Sequence, residues 1–207
     1  MEPKSDTYFS IGQESKGSYR EKASKFIAIA IPVRTETEIK TNLDQIRKEH
    51  HGANHFCYAY QLGNDKQHYR TNDDGEPSGS AGKPIYGQIL SFGLSDILVV
   101  VVRYFGGTKL GIPGLINAYR TAARESLTQA QRVEKTVMAQ VEIRFDYPSM
   151  NDVMKIVKEK ECQIVNQKYD EQCTLHLSVK QSSLPSLRQR IAGLNRPAIF
   201  FPGPELH

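Results

Sequence analysis

An α+β fold in two domains is predicted from three features of the residue order. Short β-rich runs alternate with helical periodicity along the chain. One continuous apolar run at 97–102, ending in four successive valines, marks a strand covered on both faces and hence the centre of a sheet. Everything after Val133 reads strand, helix, strand, strand, helix, strand, the order of a ferredoxin-like βαββαβ sandwich. The boundary therefore falls between 132 and 133, leaving an α/β domain over 1–132 and a ferredoxin-like domain over 133–207. With 207 residues, 39% hydrophobic and 24% charged, the chain holds enough apolar material for its cores and too little excess charge for wholesale disorder.

The elements follow in order. Residues 25–33, with Phe26, Ile27, Ile29 and Ile31, read as a strand, and 19–22 as its partner. Residues 35–51 switch to helical spacing, with Ile39, Leu43 and Ile46 recurring behind a Thr35 or Thr37 cap. Residues 55–62 and 67–71 flank a Gly63-Asn64-Asp65-Lys66 turn cluster and form a hairpin. Residues 72–82 are a polar, glycine-rich loop, and Pro84 opens a helix to about 92. A short turn at 93–96 leads into the central strand, 96–105. Residues 106–114 form a second glycine-rich loop before a helix over 115–129, whose Ile116, Tyr119, Ala123 and Leu127 share a face. The second domain reads as strand 137–145, helix 149–160, strands 163–169 and 173–179, helix 184–194 and strand 198–201. Pro148-Ser149 and Leu184-Pro185 open its two helices.

Composition narrows the function classes. The longest strongly apolar run is far short of the ~20 residues that span a bilayer. The polar start, with Glu2, Asp6 and Glu14, is unlike a secretion signal, so a cytoplasmic protein with no membrane partner is expected. Cys57, Cys162 and Cys173 are odd in number and lack a Cys-x-x-Cys pair, which predicts reduced thiols and neither a disulfide framework nor a zinc ribbon. The net charge is +4, with ten Lys and Arg against nine Asp and Glu from Val133 onward, so neither half is a bulk polyanion magnet. Nucleic-acid binding would need a local patch.

Connectivity supplies such a patch. The Pro84 helix turns tightly into the central strand and so runs antiparallel to it, which brings its amino end to the carboxyl end of that strand, where the second loop begins. Both loops precede helices, so free N–H groups and two positive helix-dipole ends are expected at one edge of the sheet, an arrangement that favours anions. The predicted anion- or RNA-binding set is Ser78, Gly79, Ser80, Gly82 and Lys83 from the first loop, with Arg103, Gly106, Gly107, Thr108 and Lys109 from the second. Arg120 adds charge nearby. Asp73, Asp74 and Glu76 oppose a bound phosphate unless they pair with those cations or share a divalent metal, so they stand as possible metal ligands or a general base.

Rival chemistries fit less well. A P-loop requires glycine where Pro77 stands and Ser or Thr where Pro84 stands. His50 and His51 are adjacent on a helix end and point apart, against a metal pair. His55 and Cys57 share a strand face, but the spacing supplies no third group to orient a Cys–His pair. Tyr8, Tyr19, Tyr58, Tyr60, Tyr69, Tyr104 and Phe105 include candidates for base stacking, although strand aromatics more often fill cores.

Three stretches taken together, Ser24-Lys25-Phe26-Ile27, Asp73-Asp74-Gly75-Glu76-Pro77-Ser78-Gly79-Ser80-Ala81-Gly82-Lys83-Pro84 and Val102-Arg103-Tyr104-Phe105-Gly106-Gly107-Thr108-Lys109-Leu110-Gly111, resemble the IMPACT family, in particular its bacterial members, over essentially the whole chain. The resemblance implies a first domain similar to the fourth domain of elongation factor G, a ribosomal-protein-like βα fold, and a second similar to its fifth. It also implies a link to translation, since eukaryotic members restrain a stress kinase that regulates initiation. Those members carry an additional partner-binding domain without counterpart in this chain, so kinase control is not implied. Pro113 stands where the resemblance implies that related sequences often carry glycine, which predicts a stiffer second loop. The expected function is a non-catalytic, translation-associated regulator that needs no cofactor and contacts RNA, a ribosomal surface or a protein of translation control. The alternative is an enzyme acting on a phosphorylated or acidic small molecule, with Asp74 or Glu76 as base or metal ligand.

Overall fold

The structure, a computed structural model, describes residues 6–63, 67–194 and 199–202. It divides into two compact units, one spanning Tyr8–Lys135 and the other taking the chain from Thr136 on together with its start up to Thr7. Asn64, Asp65 and Lys66 of the expected hairpin turn, and Ala198 of the expected last strand, lie outside the described residues.

In the first unit the elements run β1 (Thr7–Ile11), β2 (Ser15–Glu21), β3 (Ser24–Pro32), α1 (Glu36–Glu49), β4 (His55–Leu62), β5 (His68–Asn72), α2 (Gly82–Ser91), β6 (Ile97–Tyr104), α3 (Gly111–Thr128) and β7 (Arg132–Thr136). Five strands form one sheet in the order β2-β3-β6-β4-β5, and every adjacent pair is antiparallel. The centre is β6, as its continuous apolar run predicts. Its alternation divides two cores. Ile97, Val99 and Val101 face α2 and α3, packing with Ile85, Ile89, Ala118, Tyr119 and Ala122. Leu98, Val100 and Val102 face the other layer, with Ile39, Leu43 and Ile46 of α1.

Helix α1 starts where its residues dictate. Thr35 accepts the Glu38 N–H at 3.2 Å, and the Glu38 carboxylate reaches back to the Arg34 N–H at 2.7 Å, so two donors at the helix start are satisfied. Acids in the first turn, Glu36 and Glu38, and bases in the last, Arg47 and Lys48, complement the helix dipole.

Three sequence expectations change. Strands β1 and β7, absent from the sequence reading, pair with each other as a separate two-stranded sheet. Strand β2 begins at Ser15, earlier than 19. Helix α3 begins at Gly111 instead of Leu115, with Pro113 and Gly114 in its first turn. Proline is tolerated there because a first-turn residue has no intrahelical acceptor for its N–H. Pro113 therefore stiffens a helix start, not the loop, which shortens to 105–110.

The second unit contains β8 (Met138–Phe145), α4 (Met150–Glu159), β9 (Gln163–Tyr169), β10 (Cys173–Lys180), α5 (Leu184–Ala192) and β11 (Ile199–Pro202). Its antiparallel sheet has the order β11-β8-β10-β9, the strand arrangement of a ferredoxin-like sandwich. Helices α4 and α5 cover one face, burying Val153, Ile156, Leu187 and Ile191 against Ile143, Phe145, Leu175 and Leu177. Asp146 accepts the Ser149 N–H at 3.2 Å, capping the helical segment. Among the described residues no helix is long and apolar enough to cross a membrane.

Candidate functional site

The carboxyl end of β6 brings Arg103 together with His55, Asp74 and Glu76. Helices α2 and α3 pack on the same face of β6, one entering it and one leaving it, so both amino ends lie at this edge. The loop before α2 is tied to the end of β6, with Glu76 Oε1 2.5 Å from Arg103 Nη1.

Each acid of the first loop is engaged by groups of the protein itself. Asp73 accepts the N–H groups of Gly79 at 2.8 Å, Ala81 at 3.0 Å and Gly82 at 2.8 Å, so its carboxylate sits where an external anion would otherwise bind at the start of α2. Asp74 accepts the Phe56 N–H at 2.7 Å, and its other carboxylate oxygen lies 3.8 Å from Arg47. Asp74 takes a positive φ of 41°, held by its own N–H to Asn72 Oδ1 at 2.8 Å. The Glu76 side chain is 4% exposed and accepts from both Arg103 and the Tyr119 hydroxyl, the latter at 2.7 Å. His55, directly across the ladder from Arg103, closes the cluster: its Nδ1 lies 2.8 Å from the Asp74 carbonyl and its Nε2 3.9 Å from Glu76.

These contacts alter how several predicted residues stand. Arg103 is buried, between the rings of Phe26 and Phe105 at 5.4 Å from each centroid, and is the internal counter-charge of Glu76 instead of an outward phosphate contact. Asp73, Asp74 and Glu76 do not converge on a metal position; among the described residues no group of three His, Cys, Asp or Glu side chains is arranged to hold an ion. Gly82 lies against β5, where a Cβ would come within 2.7 Å of the Asn72 nitrogen, and Ser80 is fully buried with its hydroxyl unpaired. Ser78 and Lys83 are exposed and Gly79 half-buried.

The second loop presents the opposite picture. Its base is anchored by the Phe105 N–H to Asn54 Oδ1 at 2.9 Å and the Gly106 N–H to Ser24 Oγ at 3.1 Å. Gly106 presses on the turn between β2 and β3 so closely that a Cβ would lie 2.1 Å from the Ala23 carbonyl carbon, which makes glycine a packing requirement there. Beyond it Gly107, Thr108 and Lys109 are exposed. Helix α3 has no side-chain cap and no acid in its first turn. Among the described residues neither Lys83 nor Lys109 forms an ion pair.

Cys57 completes the interior of the cluster. Its sulfur lies 3.0 Å from the Asp73 carbonyl and 3.3 Å from the Tyr119 hydroxyl. Burial, reinforced by the carboxylates of Glu76, Asp74 and Asp73, pushes the thiol well above its ordinary range, and burial with the Cys57 and Glu76 contacts does the same to Tyr119. Both groups stay protonated at neutral pH, so Cys57 is no nucleophile here. Sequence spacing puts His55 and Cys57 on one strand face and Tyr119 on a helix face, but nothing local in the sequence links Tyr119 to Cys57 and Glu76. The candidate bases Asp74 and Glu76 thus hold the loop together. Of the aromatic candidates, Tyr58 and Tyr60 are core residues, Tyr69 stacks on Tyr86 and Phe105 is 45% exposed.

The family model of the Impact N-terminal domain matches residues 22–127, which covers β3 through α3 and both loops. IMPACT family member YvyE of Bacillus subtilis is 33% identical over 84% of this chain and 81% of its own length. IMPACT family member YigZ of Escherichia coli is 29% identical over 86% of this chain and 88% of its own length. A crystal structure of a hypothetical protein, 26% identical, superposes with a TM-score of 0.75 over 97% of this chain and 99% of that one.

Proposed function

Because the chain belongs to the IMPACT family, we propose that it is a translation-associated protein, without catalysis of its own, that grips RNA phosphate through the second loop and the start of α3. The observation that carries the proposal is the division of labour between the two loops. Asp73 is held by amides of its own loop, Asp74 by the Phe56 N–H and Arg47, and Glu76 by Arg103 and Tyr119, whereas Lys109, Thr108 and the Gly107 amide lie exposed before α3. Lys83, at the start of α2, adds a second unpaired cation. Arg103 and Glu76 contribute by holding the edge rigid. The contact set therefore narrows to Gly107, Thr108, Lys109 and Lys83, with Ser78 and Gly79 at its margin.

The test is co-sedimentation with ribosomes and filter binding to RNA over a salt series. Binding is expected to weaken with salt, and Lys109→Glu is expected to lower affinity and reduce the slope of log K against log salt by about 1. Binding indifferent to both changes overturns the reading. In crystals soaked with sulfate, the ion is expected on the Gly107 and Thr108 amides of the loop that leads into α3, and not at the start of α2, where the Asp73 carboxylate already sits.

A further inference from the structure

The second unit carries a surface that the loop site does not use. Strand β9 is the last strand of its sheet and is paired on one side alone, with β10, among the described residues. All seven of its residues are exposed, including Ile164 at 40%, Val165 at 63% and Tyr169 at 41%. Its ladder skips Val165, as His176 pairs with Asn166 and Leu177 with Ile164, so the edge is bent by a bulge. Such an edge rejects indiscriminate flat pairing but leaves outward backbone groups open on either side of Gln167, whose own N–H is taken by Asn166 Oδ1 at 2.8 Å.

Beside this edge lies a groove between α4 and β9. Its lining is apolar at Met154, Val157, Cys162 and Ile164, and its rim carries Lys155 and Lys158 with no carboxylate in the lining. Both lysines are exposed and form no ion pair among the described residues. A helix and a free strand edge with an apolar trough between them form the geometry in which an added strand gives main-chain hydrogen bonds to the edge and alternate side chains to the trough.

We propose that the edge of β9 and the groove beside it dock an extended segment of a partner protein, apolar at alternate positions and acidic at its flanks, which joins the sheet as an additional strand. Charge selects the chemistry of this occupant. The groove carries Lys155 and Lys158 and no carboxylate in its lining, so an acidic flank meets two cations on flexible stems. The surface stands independently of the RNA reading, because it lies wholly in the second unit.

A fluorescein-labelled peptide as long as β9, with valines alternating with threonines between terminal glutamates, tests this by anisotropy titration against the full chain. Saturable binding is expected, with slowed hydrogen exchange at β9 amides. It should weaken about tenfold in Lys155→Glu/Lys158→Glu, a surface change whose fold is checked by circular dichroism. A peptide N-methylated along one edge should lose binding, since it lacks the donors the strand needs. Equal binding by the N-methylated peptide or by the double variant overturns the proposal, as does absence of saturable binding. A concentration-dependent dimer that the peptide fails to displace overturns it in favour of a second copy.

Discussion

At the scale of single residues, the sheet edge in the first unit is governed by one buried ion pair. Glu76 and Arg103 have side chains 4% and 6% exposed, and removing one member leaves an uncompensated charge. Glu76→Leu is therefore expected to lose about 3 kcal/mol of stability in urea denaturation, and the double change Glu76→Leu/Arg103→Met to lose less than the single one. A double variant weaker than Glu76→Leu alone would mean the pair is not the controlling interaction. Neighbouring Cys57 and Tyr119 set an alkaline limit. Their folded-state values are raised above the ordinary 9.0 and 10.0, so the folded chain keeps protons that the unfolded chain releases. Stability from these groups is fully present below about pH 9 and falls as pH climbs, by up to about 1.4 kcal/mol per pH unit for each group. Melting temperature measured from pH 8 to 11 should decline accordingly, and Cys57→Ala should make that decline shallower.

At the scale of elements, two glycine-rich loops of similar composition differ in how they are held. Asp73 caps α2 from outside the helix, whereas α3 is left open and its loop is anchored by backbone contact at Gly106. Gly106→Ala drives a methyl into the Ala23 backbone and should cost at least about 2 kcal/mol, read as a lower melting temperature with loosened hydrogen exchange in the turn between β2 and β3. An unchanged melting temperature would contradict the packing at this turn. Much of the element order was legible because it rests on local signals: the Thr35 cap, the 97–102 run and the periodicity of α1. What escaped depends on distance along the chain. The continuous run of β6 marks burial on both faces but is silent on strand direction, and here every neighbour is antiparallel. The start of α3 is hidden in the sequence because Gly111, Pro113 and Gly114 look like loop, although a first turn has no acceptor for the N–H that proline lacks. Asp73, Asp74 and Glu76 were visible as acids beside cations, but they are held by amides and side chains that sequence spacing does not bring together.

At the scale of the molecule, each unit encloses its own core, so damage to one should be readable apart from the other. Leu175→Ala, fully buried in the second unit, should cost about 3 kcal/mol and strip exchange protection from β10 while the β6 amides keep theirs. Protection lost equally in both would show that they unfold as one body. The pairing of β1 with β7 has a consequence for how such a unit can be combined with others. Its first and last strands run side by side, tied further by the Gly12 N–H to the Gln131 carbonyl at 2.9 Å. A module whose two chain ends leave from neighbouring positions can be spliced into a surface loop of a host polypeptide without prising that loop apart, and rejoining those ends with a short linker should permit circular permutation.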